Sequence, residues 1–163
     1  MQSEICAAIA GLSTEQFTRH PSGKWSAGEV LEHLYLTYTG TIKGFARASE
    51  TGSSPASAQT WAQWRRTLVV VHLGYMPTGR ESPAAARPRG LPLEKVRAEI
   101  STKIAEMDER IARCEEKFGS RQKLLDHPVL GPLSGAEWRK FHLVHGLHHV
   151  KQLRRLRDLA MES

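Results

Sequence analysis

Residues 93–118 carry an apolar repeat that only a long amphipathic helix accommodates. Leu93, Val96, Ile100, Ile104, Met107, Ile111, Cys114 and Phe118 recur at spacings of three or four, and Gly119 follows. That period lines them along one stripe and leaves the rest of the surface polar. A single apolar stripe has to be buried against another element, and three further segments offer a matching one. The first, Gln2 to Phe17, carries Ile5, Ala8, Ile9, Leu12 and Phe17 and stops before the breaker cluster His20-Pro21-Ser22-Gly23. Ser26 with Glu29 reads as a capping box opening a second helix to about Ser49, and Ser134 with Glu137 opens the last one, to about Met161. Without an internal repeat or a second core, the chain reads as one domain over residues 1–163. The expected fold is all-α, a four-helix bundle.

The connection between the second and third helices is long. From Glu50 to Gly90 the character changes: Thr51-Gly52-Ser53-Ser54-Pro55 is a loop, Trp61 to Leu73 is apolar, and Pro77 to Pro92 is rich in Pro, Gly, Ala and Arg. About forty residues imply a crossover that lets the second and third helices run parallel, with Trp61 to Leu73 as a short extra helix packed on the bundle. The β-branched run Val69-Val70-Val71 leaves a strand open for Leu68 to Leu73, but helix is preferred. Asp126 to Leu133 reads as a loop.

Composition narrows the function classes. A chain of 163 residues with 40% hydrophobic and 25% charged residues is long enough to bury a core without disulfides. No stretch approaches the ~20 apolar residues of a membrane span, and Met1-Gln2-Ser3-Glu4 lacks the basic start of a secretory signal, so the cytoplasm is the expected location. Cys6 and Cys114 lie far apart at apolar positions of helical segments and read as buried thiols. The net charge of +6 admits an anionic partner. Its densest run, Lys151, Arg154, Arg155 and Arg157, is interrupted by leucines and Asp158, as on a solvated helix face. No groove-reading motif or interleaved aromatics accompany it, and nucleic-acid binding is not expected.

The chain has eight histidines, four of them within Phe141-His142-Leu143-Val144-His145-Gly146-Leu147-His148-His149. His145 and His149, at i and i+4, point the same way on a helix and can grip one ion, with a third ligand from a facing helix. Taking about 100° per residue, they share the core-facing stripe of Trp138, Phe141, Gln152, Leu153, Leu156 and Leu159. His142 lies at its edge and His148 on the flank. Buried imidazoles need a hydrogen bond or a metal to offset lost hydration; an i, i+4 pair alone fits either. His33 is the one histidine in the second helix, opposite the stripe of Leu31, Leu34, Tyr35, Tyr38, Ile42 and Phe45. It shares a small, weakly polar face with Thr37, Gly40 and Gly44, which either lines a pocket or faces solvent.

Several spellings together resemble the DinB-like (YfiT-type) superfamily: the tryptophan-led helix with Leu-Glu-His-Leu at 31–34, His-Pro-Val-Leu-Gly-Pro-Leu-Ser at 127–134, Glu137-Trp138, and His145-x3-His149-x2-Gln152. The resemblance covers most of the chain and is sharpest over residues 127–153. It implies a four-helix bundle with a long crossover and a divalent ion held by His33, His145 and His149, with water at the remaining positions. Zinc or nickel is the expected ion; iron and copper also suit imidazole. An open site of this kind activates a bound water or thiol, which suits hydrolysis or thiol transfer on a small-molecule substrate, a low-molecular-weight thiol among them. Gln152, one turn beyond His149, either hydrogen-bonds a ligand or its water or is a polar residue at the end of the core.

No catalytic acid or base is singled out. Glu29 has its capping role and Glu32 reads as surface. His127 reads as a loop residue bonded to backbone, His20, His72, His142 and His148 as structural or exposed, and Trp25 and Trp138 as core anchors. The alternative function is a non-catalytic binding or stress-response module on the same bundle, associating as a homodimer through exposed helix faces.

Overall fold

A computed structural model of the chain describes residues 1–51, 57–79 and 81–161. Its first helical segment differs from the single helix expected over Gln2 to Phe17. Helix α1 (Gln2–Ile9) stops before Gly11, which has φ +79°, and α2 (Thr14–Thr18) starts again behind Ser13. The restart has a local cause: the Gln16 N–H donates to Ser13 Oγ at 3.2 Å, and the Ser13 N–H donates to Gln16 Oε1 at 2.9 Å. That reciprocal pair is a helix start in the middle of the segment.

Helix α3 (Ala27–Thr51) opens on the expected box, the Ser26 N–H donating to Glu29 Oε2 at 2.8 Å and the Glu29 N–H to Ser26 Oγ at 3.2 Å. In the crossover, Thr60 and Gln63 form another such box and open α4 (Trp61–Thr67), which runs on into a π-helical turn at Leu68–His72. The valine run is therefore helical, as preferred. The loop read at Gly52 to Pro55 lies outside the described residues. A short 3₁₀ turn, Ala84–Ala86, precedes α5 (Leu93–Phe118), which ends at Gly119 with φ +96°. Where a loop was expected after it, β1 (Lys123–His127) and β2 (Gly131–Ser134) pair antiparallel, Leu125 opposite Leu133 and His127 opposite Gly131. His127 folds the turn on itself, because its Nδ1 accepts from the N–H groups of Val129 at 3.1 Å and Leu130 at 3.2 Å. Helix α6 (Gly135–Met161) follows from the Ser134–Glu137 box. The fold is thus mostly helical, with one small hairpin among the described residues.

Side-chain contacts give the helix directions. Along α3 and α5, Tyr35 meets Glu99, the Phe45 carbonyl meets Cys114 and the Ser49 carbonyl meets Lys117. Both numbers rise together, so the two helices are parallel, as a crossover requires. Between α3 and α6, His33 meets His145, Thr41 meets His142 and Phe45 meets Trp138, which makes that pair antiparallel. Helix α1 lies along α6 through Glu4 with Arg154 and the Ala7 carbonyl with Arg157.

The stripe of α3 is buried as read, from Leu31 through Phe45, against Val96, Ile100 and Ile111 of α5 and Trp138, Val150 and Leu153 of α6. Trp138 anchors the hairpin, its Nε1–H donating to the Leu125 carbonyl at 3.1 Å. Two readings are corrected. Cys114 is buried but Cys6 is exposed, since α1 is covered on the side of Ile5, Ala8 and Ile9. Leu159 is 56% exposed rather than part of the core stripe, because the end of α6 is covered on the side of Ala160, whose carbonyl accepts from Gln16 of α2. No helix among the described residues is long and apolar enough to cross a membrane.

Candidate metal centre

The antiparallel crossing of α3 and α6 brings His33 against His145 and His149. One nitrogen from each lies within 4.8 Å of the others. The His145 Nε2 sits 3.1 Å from His33 Nε2 and 3.1 Å from His149 Nε2, so the three atoms converge. The face of His33 is interior only in part: His33 is 3% exposed beneath the crossover, Thr37 and Gly44 are half-buried, and Gly40 is exposed. Gly44 permits the close approach of the hairpin. A Cβ at Gly44 would stand 2.6 Å from Leu125 Cδ2 on β1.

The outer nitrogens set the tautomers. The His33 Nδ1–H donates to the Ala86 carbonyl at 2.7 Å, and the His149 Nδ1–H to Gln152 Oε1 at 3.0 Å. An oxygen acceptor requires the proton on the facing nitrogen, so both rings present Nε2 as a lone pair. Burial lowers all three imidazoles, that of His149 to about 3 and that of His145 well below its ordinary value, and the cluster is neutral near pH 7. His145 then has one ring proton to place. On Nε2 it can serve one neighbour and leaves a buried Nδ1 acceptor unpaired; on Nδ1 it finds no acceptor, and three lone pairs face one another. Protons alone do not satisfy this cluster, which is unusual for buried polar groups. A cation at the convergence satisfies three lone pairs at once and leaves only the His145 Nδ1–H without a partner. Three neutral imidazoles from two helices therefore fit a divalent ion and leave part of its coordination shell to other ligands.

The walls are aromatic. Trp25 lies 5.2 Å from the His33 ring, Phe141 stacks on His145 at 5.3 Å, and His148 meets His149 edge-on at 5.1 Å. Trp25 therefore borders the cluster, while Trp138 is the core anchor expected of it. The other histidines stay outside. His127 bonds the hairpin backbone as expected, and burial pushes its imidazole down to about 4. His20 and His72 are exposed beside Glu29 and Glu137. His142, placed at the edge of the stripe, is fully interior, with Nε2 3.0 Å from Thr41 Oγ1.

Glu29 caps α3, but Glu32 is a correction. Read as surface, it is 4% exposed and accepts from the N–H groups of Arg89 at 2.8 Å and Gly90 at 3.1 Å. Its partners lie in an irregular Pro- and Gly-rich segment, as does Ala86, and no periodicity in the sequence points to either.

Over residues 2–156 the chain matches a family described as a protein of unknown function, DUF1569. The chain belongs to the DUF1569 family. No curated protein and no solved structure matches it. The match to DUF1569 spans His33, His145 and His149 and also Ala86 and Gln152, which orient two of those rings.

Proposed function

We propose that this DUF1569 chain is a metal-dependent enzyme of the DinB-like type: a four-helix bundle of α1, α3, α5 and α6 holding a divalent ion on His33, His145 and His149. Its reaction class is transfer or hydrolysis on a small-molecule substrate, a low-molecular-weight thiol among the candidates. The observation that carries the reading is the convergence of three neutral Nε2 lone pairs at 3.1 Å contacts, which protons cannot reconcile. Zinc or nickel suits such a donor set best, and iron follows. When bound, a divalent ion supplies Lewis acidity and lowers the pKa of a coordinated water or thiol. The chain's own residues perform the holding. Ala86 and Gln152 fix the His33 and His149 tautomers, while Trp25 and Phe141 pack on the ligand rings and keep bulk water from those faces. The unpaired thiols of Cys6 and Cys114 suit a reducing, cytoplasmic setting.

Elemental analysis of untagged protein tests the proposal, alongside the double variant His145→Ala, His149→Ala. Near-stoichiometric zinc or nickel is expected in the parent and none in the variant. Absence of metal from both, even after titration with each ion, sinks the proposal.

A second reading, the non-catalytic homodimeric or stress-response module, draws on a different observation. Trp61 and Trp64 stack at 4.8 Å yet are 70% and 44% exposed, beside exposed Leu73 and Tyr75. Sedimentation of a Trp61→Ser, Trp64→Ser variant addresses it: a parent dimer that becomes monomer favours this reading, and a parent monomer at micromolar concentration removes it.

A further inference from the structure

Glu32 and His33 are consecutive on α3, and both reach the same stretch of the crossover. His33 Nδ1–H donates to the Ala86 carbonyl at 2.7 Å, and three residues further on Glu32 takes two successive backbone amides, those of Arg89 at 2.8 Å and Gly90 at 3.1 Å. Two adjacent N–H groups aimed at one anion form a backbone nest, a concavity that favours a negative group. Gly90 has φ +81°, the left-handed backbone that such a turn uses. The carboxylate is 4% exposed, so its two charge-assisted bonds work away from water, where they are strongest.

We infer that Glu32 is a positioning residue of the metal centre: it locks residues 86–90 of the crossover onto α3, so that the Ala86 carbonyl holds the His33 ring with Nε2 turned to the cluster. The inference rests on the metal reading above for its consequence, while the ring orientation is testable without it. The 3₁₀ turn Ala84–Ala86 packs on α3 but buries none of its own three residues, so the polar ties from α3 set where its carbonyls stand. Without the clamp the Ala86 carbonyl loses its place, and His33 is free to exchange tautomers.

The test uses the full chain with Glu32→Ala and the isosteric Glu32→Gln. Glutamine can accept from one amide, but its own NH₂ then faces the other donor, so the shape is kept and half the clamp is lost. Two readouts are taken: the His33 tautomer from long-range ¹H–¹⁵N spectra of metal-free protein, and zinc affinity by competition with a chromophoric chelator. The parent should show His33 protonated on Nδ1, and both variants a mixture. Zinc affinity should fall roughly 10- to 100-fold in Glu32→Ala and by less in Glu32→Gln. Affinities within about twofold of the parent in both variants overturn the inference. If the parent itself binds neither zinc nor nickel, the metal reading fails on its own, and the tautomer comparison alone decides: an unchanged His33 in Glu32→Gln overturns the role of Glu32. Should Glu32→Ala not fold, Glu32→Gln carries both readouts.

Discussion

A histidine offers a metal a defined nitrogen when its other nitrogen is tied to an acceptor, and here the two ties come from different sources. Ala86 is backbone and no substitution of its side chain removes its carbonyl, but Gln152 is a side chain one turn from His149. Gln152→Leu should leave the helix intact and lower zinc affinity about 10- to 100-fold, the usual effect of losing such a partner, as read by chelator competition. Gln152→Glu keeps an acceptor and should bind zinc nearly as the parent does; equal losses in both variants would argue that Gln152 acts only through packing. At this scale the i, i+4 pair was legible because helical geometry is local. Glu32 was not, since a glutamate among polar neighbours looks like surface until amides 57 and 58 residues away arrive to bond it.

Among the elements, the hairpin does the most that periodicity hides. Strands β1 and β2 are too short to show a reliable alternation, and Pro132 and Gly131 look like loop residues. Yet Leu124, Leu130 and Leu133 are buried, and the pair wedges between α3 and Trp138. Leu133 is 0% exposed, and Leu133→Ala should destabilise the fold by about 2–5 kcal/mol, measured by urea denaturation. A loss under 1 kcal/mol, well below the ~2–5 expected, would mean that the hairpin is an appendage rather than part of the core. The helices were the opposite case. Helix α5 begins and ends at the residues its apolar repeat marks, and the Ser–Glu boxes placed the starts of α3 and α6, because caps and stripes are written within a few residues. The same chemistry at Ser13 and Gln16 divided the first segment, where the apolar spacing alone suggested continuity.

For the molecule as a whole, burying neutral histidines ties stability to pH. Burial lowers His127 to about 4 and His142 to about 3, from an ordinary value of 6.5. The unfolded chain then binds protons that the folded chain refuses. The contribution is present in full above pH 6.5 and is lost progressively as pH falls toward 4, so stability should drop on acidification through that window. His127→Asn keeps an oxygen acceptor for the Val129 and Leu130 amides but cannot titrate. Between pH 6 and 4.5 its urea midpoint should fall less steeply than the parent's, by roughly one proton, about 1.4 kcal/mol per pH unit at most; parallel curves would refute the assignment. By itself, the sequence determined the long helices α3, α5 and α6, the capped starts of α3 and α6, and the pairing of His145 with His149 on one face, because period and capping act over one or two turns. Only the tertiary structure decided that His33 is interior, that it meets His145 across 112 residues, and that the crossover brings the Ala86 carbonyl to His33 and the Arg89 amide to Glu32. Those contacts depend on how helices cross and where an irregular segment lands, and neither is encoded in the spacing of neighbouring residues.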